Sequence, residues 1–218
     1  LRIRPGNRTP YDQPDRIEIV VLYHLFTKVF SNHTGCAQYR GSFFGHVFAV
    51  YLLTIIMQFQ ENISLKPYNS FAIDAKARYF SGFRNTESLL EILGHLPVQN
   101  LMVLGGGTNI LLTGDFDGMV LKNECSGIEK LAEDENFVYV KCAAGENWHQ
   151  FVLHCLDNNW AGVENLSLIP GCVGASPMQN IGAYGVELKD VFHELTAFHI
   201  QEKGKYTFRL KDCEFGYR

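Results

Sequence analysis

The stretch from Glu164 to Gly185 constrains the fold of this chain more than any other part of the sequence. It reads ENLSLIPGCVGASPMQNIGAYG and holds four glycines, two prolines and one charged residue. Such a composition is poor for a helix or a regular strand, because glycine tolerates left-handed backbone angles and proline lacks an N–H donor. We therefore interpret it as an ordered loop that binds a large planar cofactor carrying a pyrophosphate. An ordered surface loop without a ligand is the alternative.

A second glycine-rich element lies upstream, where an apolar strand at Leu101–Leu104 runs into Gly105-Gly106-Gly107. Three glycines after a strand allow consecutive N–H groups to form an anion-binding nest, and Thr108 and Asn109 add side-chain donors. The spacing fits neither the dinucleotide fingerprint nor the Walker loop. A tight turn between two strands explains these glycines equally well. Together with the 164–185 loop, however, this element predicts two glycine surfaces that close on one nucleotide.

Six motifs along the chain carry a family resemblance. They are LKPYNSF at 65–71, GGGTN at 105–109, AGENWH at 144–149, GVENL at 162–166, IPGCVGASPMQNIGAYG at 169–185 and CEFGYR at 213–218. In this order and spacing the chain resembles the UDP-N-acetylenolpyruvoylglucosamine reductases, the MurB family of flavin reductases in peptidoglycan precursor synthesis. The resemblance covers roughly residues 57–218, and the longest motif is highly specific.

The resemblance implies an α+β fold, namely the FAD-binding fold of the vanillyl-alcohol oxidase or PCMH type, with FAD in a cleft between two sub-domains. It implies FAD and NADPH as cofactors, with hydride passing from NADPH to FAD and then to the enolpyruvyl carbon of the substrate. That substrate is UDP-N-acetylglucosamine enolpyruvate and the product is UDP-N-acetylmuramate. We expect a monomeric, cytoplasmic enzyme with no nucleic-acid partner and no stable membrane partner.

The matched motifs also imply the site residues. The pyrophosphate is expected on Gly105, Gly106, Gly107, Thr108 and Asn109. The rest of the cofactor is expected against Pro170, Gly171, Gly174, Ala175, Ser176, Asn180, Ile181, Gly182 and Gly185. Arg218 matches the catalytic arginine of the family, and Tyr217 and Arg218 are the expected substrate-binding pair. The guanidinium is always charged, so it can hold a carboxylate and stabilise the charge that develops at the enolate.

Sequences of this family continue well beyond the FGYR motif. Their substrate domain lies there, together with a proton-donating serine and a glutamate that complete the catalytic set. None of that sequence follows Arg218. We therefore expect a fragment in which the C-terminal substrate domain is absent, inactive alone but able to bind FAD weakly.

Residues 1–56 differ in composition from the rest, and the resemblance begins near Met57. We interpret 1–56 as upstream sequence translated in frame and 57–218 as the FAD-binding domain. The run Phe43–Phe59 is strongly apolar, but it is near the lower length limit for a membrane span, about 17 residues. A genuine membrane anchor and an additional extension are the alternatives for this part of the chain.

Composition restricts the remaining classes. The net charge of −4 gives no electrostatic case for nucleic-acid binding. The cysteines have no CxxC or zinc-type spacing, and they are Cys36, Cys125, Cys142, Cys155, Cys172 and Cys213. Six cysteines can in principle form three disulfides, but dispersed cysteines are more typical of buried thiols. We expect a reducing compartment and no structural metal.

Local patterns predict the regular elements. Strands are expected at 76–83, 99–104, 118–123, 137–143, 192–201 and 205–210, and helices at 87–94 and 148–158. Thr86 and Asn147 are the expected N-caps. Phe151, Val152, Cys155 and Leu156 are expected to face the core.

Two other functions stay open. One is a different flavoprotein of the same fold, in which Cys172 would be the candidate for covalent flavin attachment. The other is a membrane-tethered binding protein anchored by Phe43–Phe59. Glu146 and His149 resemble an acid–base pair, but we place them at the start of a helix. There the Glu146 carboxylate interacts favourably with the positive end of the helix dipole, and His149 has a structural rather than a catalytic role. Trp148 between them is expected to pack.

Overall fold

The structure is a computed structural model that describes residues 2–3, 18–25, 59–98 and 100–216. The described strands are β1 (Arg2–Ile3), β2 (Glu18–Leu25), β3 (Gln60–Ser64), β4 (Lys76–Phe83), β5 (Leu101–Leu104), β6 (Phe116–Asn123), β7 (Ile128–Glu133), β8 (Val138–Cys142), β9 (Gly182–Ala183), β10 (Val186–Glu187), β11 (Glu194–His199) and β12 (Gly204–Arg209). The described α-helices are α1 (Thr86–Gly94) and α2 (Trp148–Asp157). This content confirms the predicted α+β class.

The first sheet places the glycine turn at the end of its strands where ligands commonly bind. Its strand order is β3-β4-β6-β5, with β3 antiparallel to β4 and with β4, β6 and β5 parallel to one another. Lys122 near the end of β6 is paired in register with Gly82 of β4 on one side and with Leu104 of β5 on the other. In open sheets, ligands bind beyond the carboxyl ends of parallel strands. The turn that begins at Gly105 lies at this end.

Helix α1 follows β4 and buries Leu89, Ile92 and Leu93. The prediction of Thr86 as its N-cap was wrong by one residue, because Asn85 occupies that position. The Asn85 side chain accepts a hydrogen bond from the Ser88 N–H at 2.8 Å, and Ser88 Oγ accepts one from the Asn85 N–H at 3.2 Å. Asparagine and threonine are both good caps, so sequence preference alone did not separate the neighbours.

The second sheet has the order β1-β8-β2-β11-β12, and β7 pairs with β8. Strand β2 runs parallel to both β8 and β11, so it lies between them. Strands β11 and β12 form the predicted antiparallel hairpin. Strand β7 was not predicted, because only Ile128 at its start is partly buried and its sequence carries little apolar alternation.

Helix α2 shares a core with the second sheet. Asn147 is its N-cap as predicted, and its Oδ1 accepts from the Gln150 N–H at 3.0 Å. Phe151, Val152 and Cys155 are buried as predicted, but Leu156 is 43% exposed and that expectation was wrong. The buried stripe centres on Cys155 and the residues three and four positions before it, so Leu156 lies outside it.

The two sheets are joined by shared apolar contacts. Phe198 of β11 packs into the same cluster as Phe83 of β4 and Leu89 of α1. A separate cluster beneath the first sheet includes Leu65 and Leu104. This arrangement agrees with two packed sub-domains.

The N-terminal 56 residues are described only in part. Strands β1 and β2 fall within them and pair with the second sheet through their backbones. The predicted apolar run lies outside the described residues except for Phe59. Within the described residues, no helix has the length and apolar character needed to cross a bilayer. The division of the chain after residue 56 stays a prediction.

Candidate functional site

The turn after β5 requires glycine at its third position. Gly107 has a φ of +63°, which glycine adopts readily. A Cβ at Gly107 would lie 1.9 Å from the carbonyl oxygen of Tyr68, and the Gly107 carbonyl accepts a hydrogen bond from the Ser70 N–H at 3.0 Å. The turn is therefore held from behind by the segment that precedes β4.

The amides of this turn are available for a ligand. Within the described chain, the N–H groups of Gly106, Gly107, Thr108 and Asn109 donate to no protein acceptor. Gly107 is buried, whereas Gly106 and Asn109 are exposed. Backbone donors usually find a partner in a folded protein, so four consecutive donors without one are typical of an anion-binding nest.

The two glycine-rich elements approach each other closely, while the prediction that they close on one nucleotide stays a prediction. A Cβ at Gly106 would lie 3.1 Å from Gly171 Cα, and a Cβ at Gly171 would lie 3.1 Å from Thr108 Oγ1. A Cβ at Gly105 would lie 3.9 Å from the Cβ and Sγ of Cys172. Glycine at 106 and 171 lets the two backbones approach closely, because no side chain separates them.

Several predicted cofactor residues have a role in folding the second loop. Residues Val173–Gln179 form a 3₁₀ helix rather than an irregular loop. A Cβ at Gly174 would lie 2.6 Å from Ala144 Cβ, and buried Ser176 donates its hydroxyl to Val173 O at 2.7 Å. The Ile181 N–H donates to Ser176 O at 3.2 Å. Direct contact of these residues with a cofactor stays a prediction.

Asn180 connects the second loop to the end of the described chain. It is buried and left-handed, with a φ of +41°. Its Oδ1 accepts from the Lys189 N–H at 3.0 Å, and its Nδ2 donates to Glu187 Oε2 at 3.1 Å and to Gly216 O at 3.3 Å. The Lys189 ammonium also bonds to Glu187 and holds the pKa of that carboxyl below its ordinary value. This network fixes the distance between the loop and the FGYR motif.

The last predicted glycines form a small hairpin. Ala183 pairs with Val186, so Tyr184 and Gly185 are the two turn residues between β9 and β10. Their φ angles are +52° and +81°, which is the pattern of a type I′ hairpin turn. Tyr184 projects outward with 88% exposure. Hairpin geometry thus explains Gly185 without a ligand, and its cofactor role stays a prediction.

Three segments that are distant in sequence line one cavity of about 480 Å³. Asn109 comes from the glycine turn. Residues 177–180 come from the second loop, and residues 213–216 come from the CEFGYR motif at 213–218. The volume lies within the range of small-molecule sites, about 300–1,000 Å³.

The other predicted site residues that the structure describes do not line this cavity. Pro170 and Ala175 of the second loop are exposed, and the predicted catalytic and substrate residues Tyr217 and Arg218 lie outside the described residues.

Lys122 contacts the glycine turn, and the sequence analysis did not identify it. Its Nζ donates to Gly105 O at 2.7 Å and lies 3.5 Å from Asn123 O. The sequence did show a lysine directly after the buried run Gly118–Leu121, which could have marked this residue. The local sequence could not show that its ammonium contacts the glycine turn, because Lys122 and Gly105 are 17 positions apart.

The cysteines of the described chain are free thiols. Cys142, Cys155 and Cys172 are buried, and Cys125 and Cys213 are half-buried. Burial raises the pKa of the Cys172 thiol, and the nearby Lys122 ammonium opposes that shift with a smaller effect. A buried, protonated thiol is a poor nucleophile, which argues against covalent flavin attachment at Cys172.

Glu146, Trp148 and His149 have structural partners. Glu146 Oε1 accepts from the Gly127 N–H at 2.6 Å. The buried Trp148 indole donates to Leu166 O at 2.7 Å. His149 Nδ1 lies 3.0 Å from Ser167 Oγ. In the part of the chain that the structure describes, no three His, Cys, Asp or Glu side chains are grouped as metal ligands would be.

Comparison with known proteins gives concordant matches. The model of a protein family described as "FAD binding domain" matches residues 83–206. The UDP-N-acetylenolpyruvoylglucosamine reductase of Flavobacterium johnsoniae is 48% identical over 162 residues, which are 74% of this chain and 48% of that protein. The protein of the same name from Pseudomonas syringae pv. tomato is 50% identical over 161 residues, 73% of this chain and 48% of that protein. The chain therefore spans about half the length of the curated relatives that it matches.

A solved structure shares the fold. The crystal structure of UDP-N-acetylenolpyruvylglucosamine reductase (MurB) from Thermus caldophilus matches with a TM-score of 0.58. The match covers 73% of this chain and 56% of that chain at 21% identity, so it supports the fold alone. Together with the family match, it confirms the predicted FAD-binding fold.

Proposed function

Because this chain belongs to the FAD binding domain family, we propose that it is the FAD-binding part of a UDP-N-acetylenolpyruvoylglucosamine reductase. Identities of 48–50% to curated proteins of that name support the proposal. In the proposed reaction, NADPH would supply a hydride through FAD to UDP-N-acetylglucosamine enolpyruvate, and a proton would complete the reduction to UDP-N-acetylmuramate. The residues of this chain bind and orient the reactants around that chemistry.

The observation that carries the proposal is the cavity lined by all three motif segments. Asn109, Asn180 and Gly216 come from distant parts of the sequence and border the same space. The hydrogen bond from Asn180 to Gly216 holds two of these segments together. A site in which the cofactor loops adjoin the segment before the FGYR motif suits a reaction between a bound cofactor and a bound substrate.

The residues of the glycine turn fit the pyrophosphate of FAD. Four consecutive backbone donors, from Gly106 to Asn109, have no protein acceptor within the described residues. A dianionic pyrophosphate presents several acceptor oxygens, and backbone nests bind such groups. The close contact of Gly106 with Gly171 leaves no side chain between the two backbones, so the second loop can border the same ligand.

Arg218 is proposed as the residue that binds the substrate carboxylate and stabilises negative charge on the enolate, with Tyr217 beside it. The proposal depends on the match to the family motif in the sequence. A guanidinium provides a permanent charge and a planar pair of donors for a carboxylate. Gly216, two positions earlier, lines the cavity.

We also propose a monomer in the cytoplasm. The five described cysteines are unpaired, as expected in a reducing compartment. Size-exclusion chromatography with light scattering tests the monomer, and cell fractionation of the native protein tests the location.

The first experiment is flavin retention. The purified chain is incubated with FAD and desalted, and its visible absorption is recorded. We expect retained flavin in the wild type and loss in Gly106→Val, because the new side chain would enter the contact with Gly171. Gly114→Val is the matched control, since a Cβ there meets no atom within 4 Å. A folded wild type that retains no flavin, or equal loss in both variants, would contradict the FAD site. Reductase activity is measured separately in a protein of the relatives' full length.

A further inference from the structure

Lys122 combines three features that no other described lysine near the turn shares. Its stem lies in the sheet at the end of β6, it is half-buried, and its hydrogen-bond partners are carbonyl oxygens rather than carboxylates. Among the ion pairs between described residues, none includes Lys122. No described carboxylate therefore forms an ion pair with its ammonium.

The geometry links this charge to the free donors of the turn. Lys122 Nζ lies 2.7 Å from Gly105 O, and that carbonyl shares a peptide plane with the Gly106 N–H. In a trans peptide the C=O and N–H bonds point in opposite directions. The ammonium therefore lies behind the peptide, within about 5 Å of the Gly106 nitrogen, and the N–H points away from it.

We propose that Lys122 is a positioning residue that orients and polarises the Gly105–Gly106 peptide for an anionic ligand, the pyrophosphate of a dinucleotide. The inference rests on the proposed FAD site. The ammonium anchors the carbonyl, so the Gly106 N–H faces the ligand. Its charge, which is not part of an ion pair with any described carboxylate, adds a positive potential at the nest, and half-buried surroundings screen that potential less than water would.

The thiol of Cys172 lies near enough to Lys122 and Glu146 for both charges to act on its pKa, in opposite directions. A Cβ at Gly105 would lie 3.9 Å from the Cβ and Sγ of Cys172, so the thiol is close to the turn. The Lys122 charge favours the thiolate form of Cys172 and so acts to lower its pKa, although burial acts more strongly in the opposite direction.

The test measures FAD dissociation constants at several salt concentrations for Lys122→Arg, Lys122→Gln and Lys122→Met. Arg keeps the charge, Gln keeps a donor without charge, and Met keeps neither. We expect Gln and Met to weaken FAD binding about tenfold and to flatten its salt dependence, while Arg retains wild-type salt dependence. The denaturant midpoint of each variant separates an effect on the ligand from an effect on folding.

Lys205→Met is the matched control, since it removes the same charge from an exposed position on β12 of the other sheet. We expect it to bind FAD as the wild type does. Wild-type affinity and salt dependence in Lys122→Gln would overturn the inference and leave the FAD site intact. Equal weakening in Lys205→Met would also overturn it, since net charge would then be the cause. Absence of FAD binding in the folded wild type would instead refute the proposed function on which the inference rests.

Discussion

The carbonyl oxygen of Tyr68 occupies the space in which a side chain at Gly107 would begin, 1.9 Å from the ideal Cβ position. Tyr68 is held in turn by a hydrogen bond from its N–H to Leu65 O at 2.9 Å. Asn69 is buried and donates its Nδ2 to Leu65 O at 2.8 Å and to Ile73 O at 2.9 Å. The backbone behind Gly107 is therefore fixed by its own network and cannot move aside easily.

Gly107→Ala should destabilise the fold by more than about 2 kcal/mol, because it adds a backbone collision to the cost of a left-handed alanine. Gly185→Ala is the control, since Gly185 has a φ of +81° but no atom within 4 Å of its Cβ position. That variant should lose only about 1 kcal/mol. Urea denaturation followed by tryptophan fluorescence measures both, and equal losses would contradict the collision.

Asn85→Ala should cost about 1 kcal/mol of folding stability, because it removes the acceptor that caps the Ser88 N–H. Thr86→Ala should cost less, since Thr86 is the first residue of α1 and no cap bond is assigned to its side chain. Denaturant midpoints of the two variants decide between them. A larger loss in Thr86→Ala would restore the original sequence-based cap.

Stability should fall above about pH 8.5 through the buried cysteines. Burial raises the pKa of the Cys142 and Cys155 thiols in the folded chain. In the unfolded chain these thiols lose their protons near their ordinary pKa, while the folded chain keeps them. Rising pH therefore favours the unfolded state, by up to about 1.4 kcal/mol per pH unit for each thiol.

The measurement is the free energy of unfolding between pH 7 and pH 10 in the presence of a reductant. In the Cys142→Ala/Cys155→Ala double variant, the free energy of unfolding should fall less with rising pH than in the wild type, whatever its value at neutral pH. Parallel pH curves would refute the assignment of the decline to these thiols.

Removal of residues 1–56 should lower stability, because β2 pairs along both of its edges, with β8 and with β11. The 57–218 chain would leave the facing edges of β8 and β11 without this partner. Denaturant midpoints of the two chains give the answer. An unchanged midpoint would favour the sequence-based division, in which 1–56 are upstream residues with no structural role.

The sequence predicted what depends on local chemistry. The strand before Gly105, the hairpin of β11 and β12 and the Asn147 cap follow from residues within a few positions of one another. The shared glycine-rich composition of the two elements predicted that they face one ligand, and the structure places them close together. The family motifs then restricted the fold further than any local pattern could.

The remaining features depend on contacts between distant residues. The Lys122 ammonium under Gly105, the Tyr68 carbonyl behind Gly107 and the position of β2 in the sheet have no local signature. Leu156 was misplaced for a smaller reason, since it lies just beyond the border of the buried stripe of α2. Tertiary packing decides such positions, and a single sequence does not contain a direct record of it.

The bond between Ser70 and Gly107 joins residues 37 positions apart and has a consequence for folding order. The glycine turn cannot acquire its final shape from β5 alone, because its support arrives with the segment that leads into β4. A partly folded chain therefore lacks the nest even when β5 and β6 have paired. An anion that binds this turn would bind only the folded arrangement and so shift the folding equilibrium toward it. It would therefore stabilise this half of the fold as well as occupy its site.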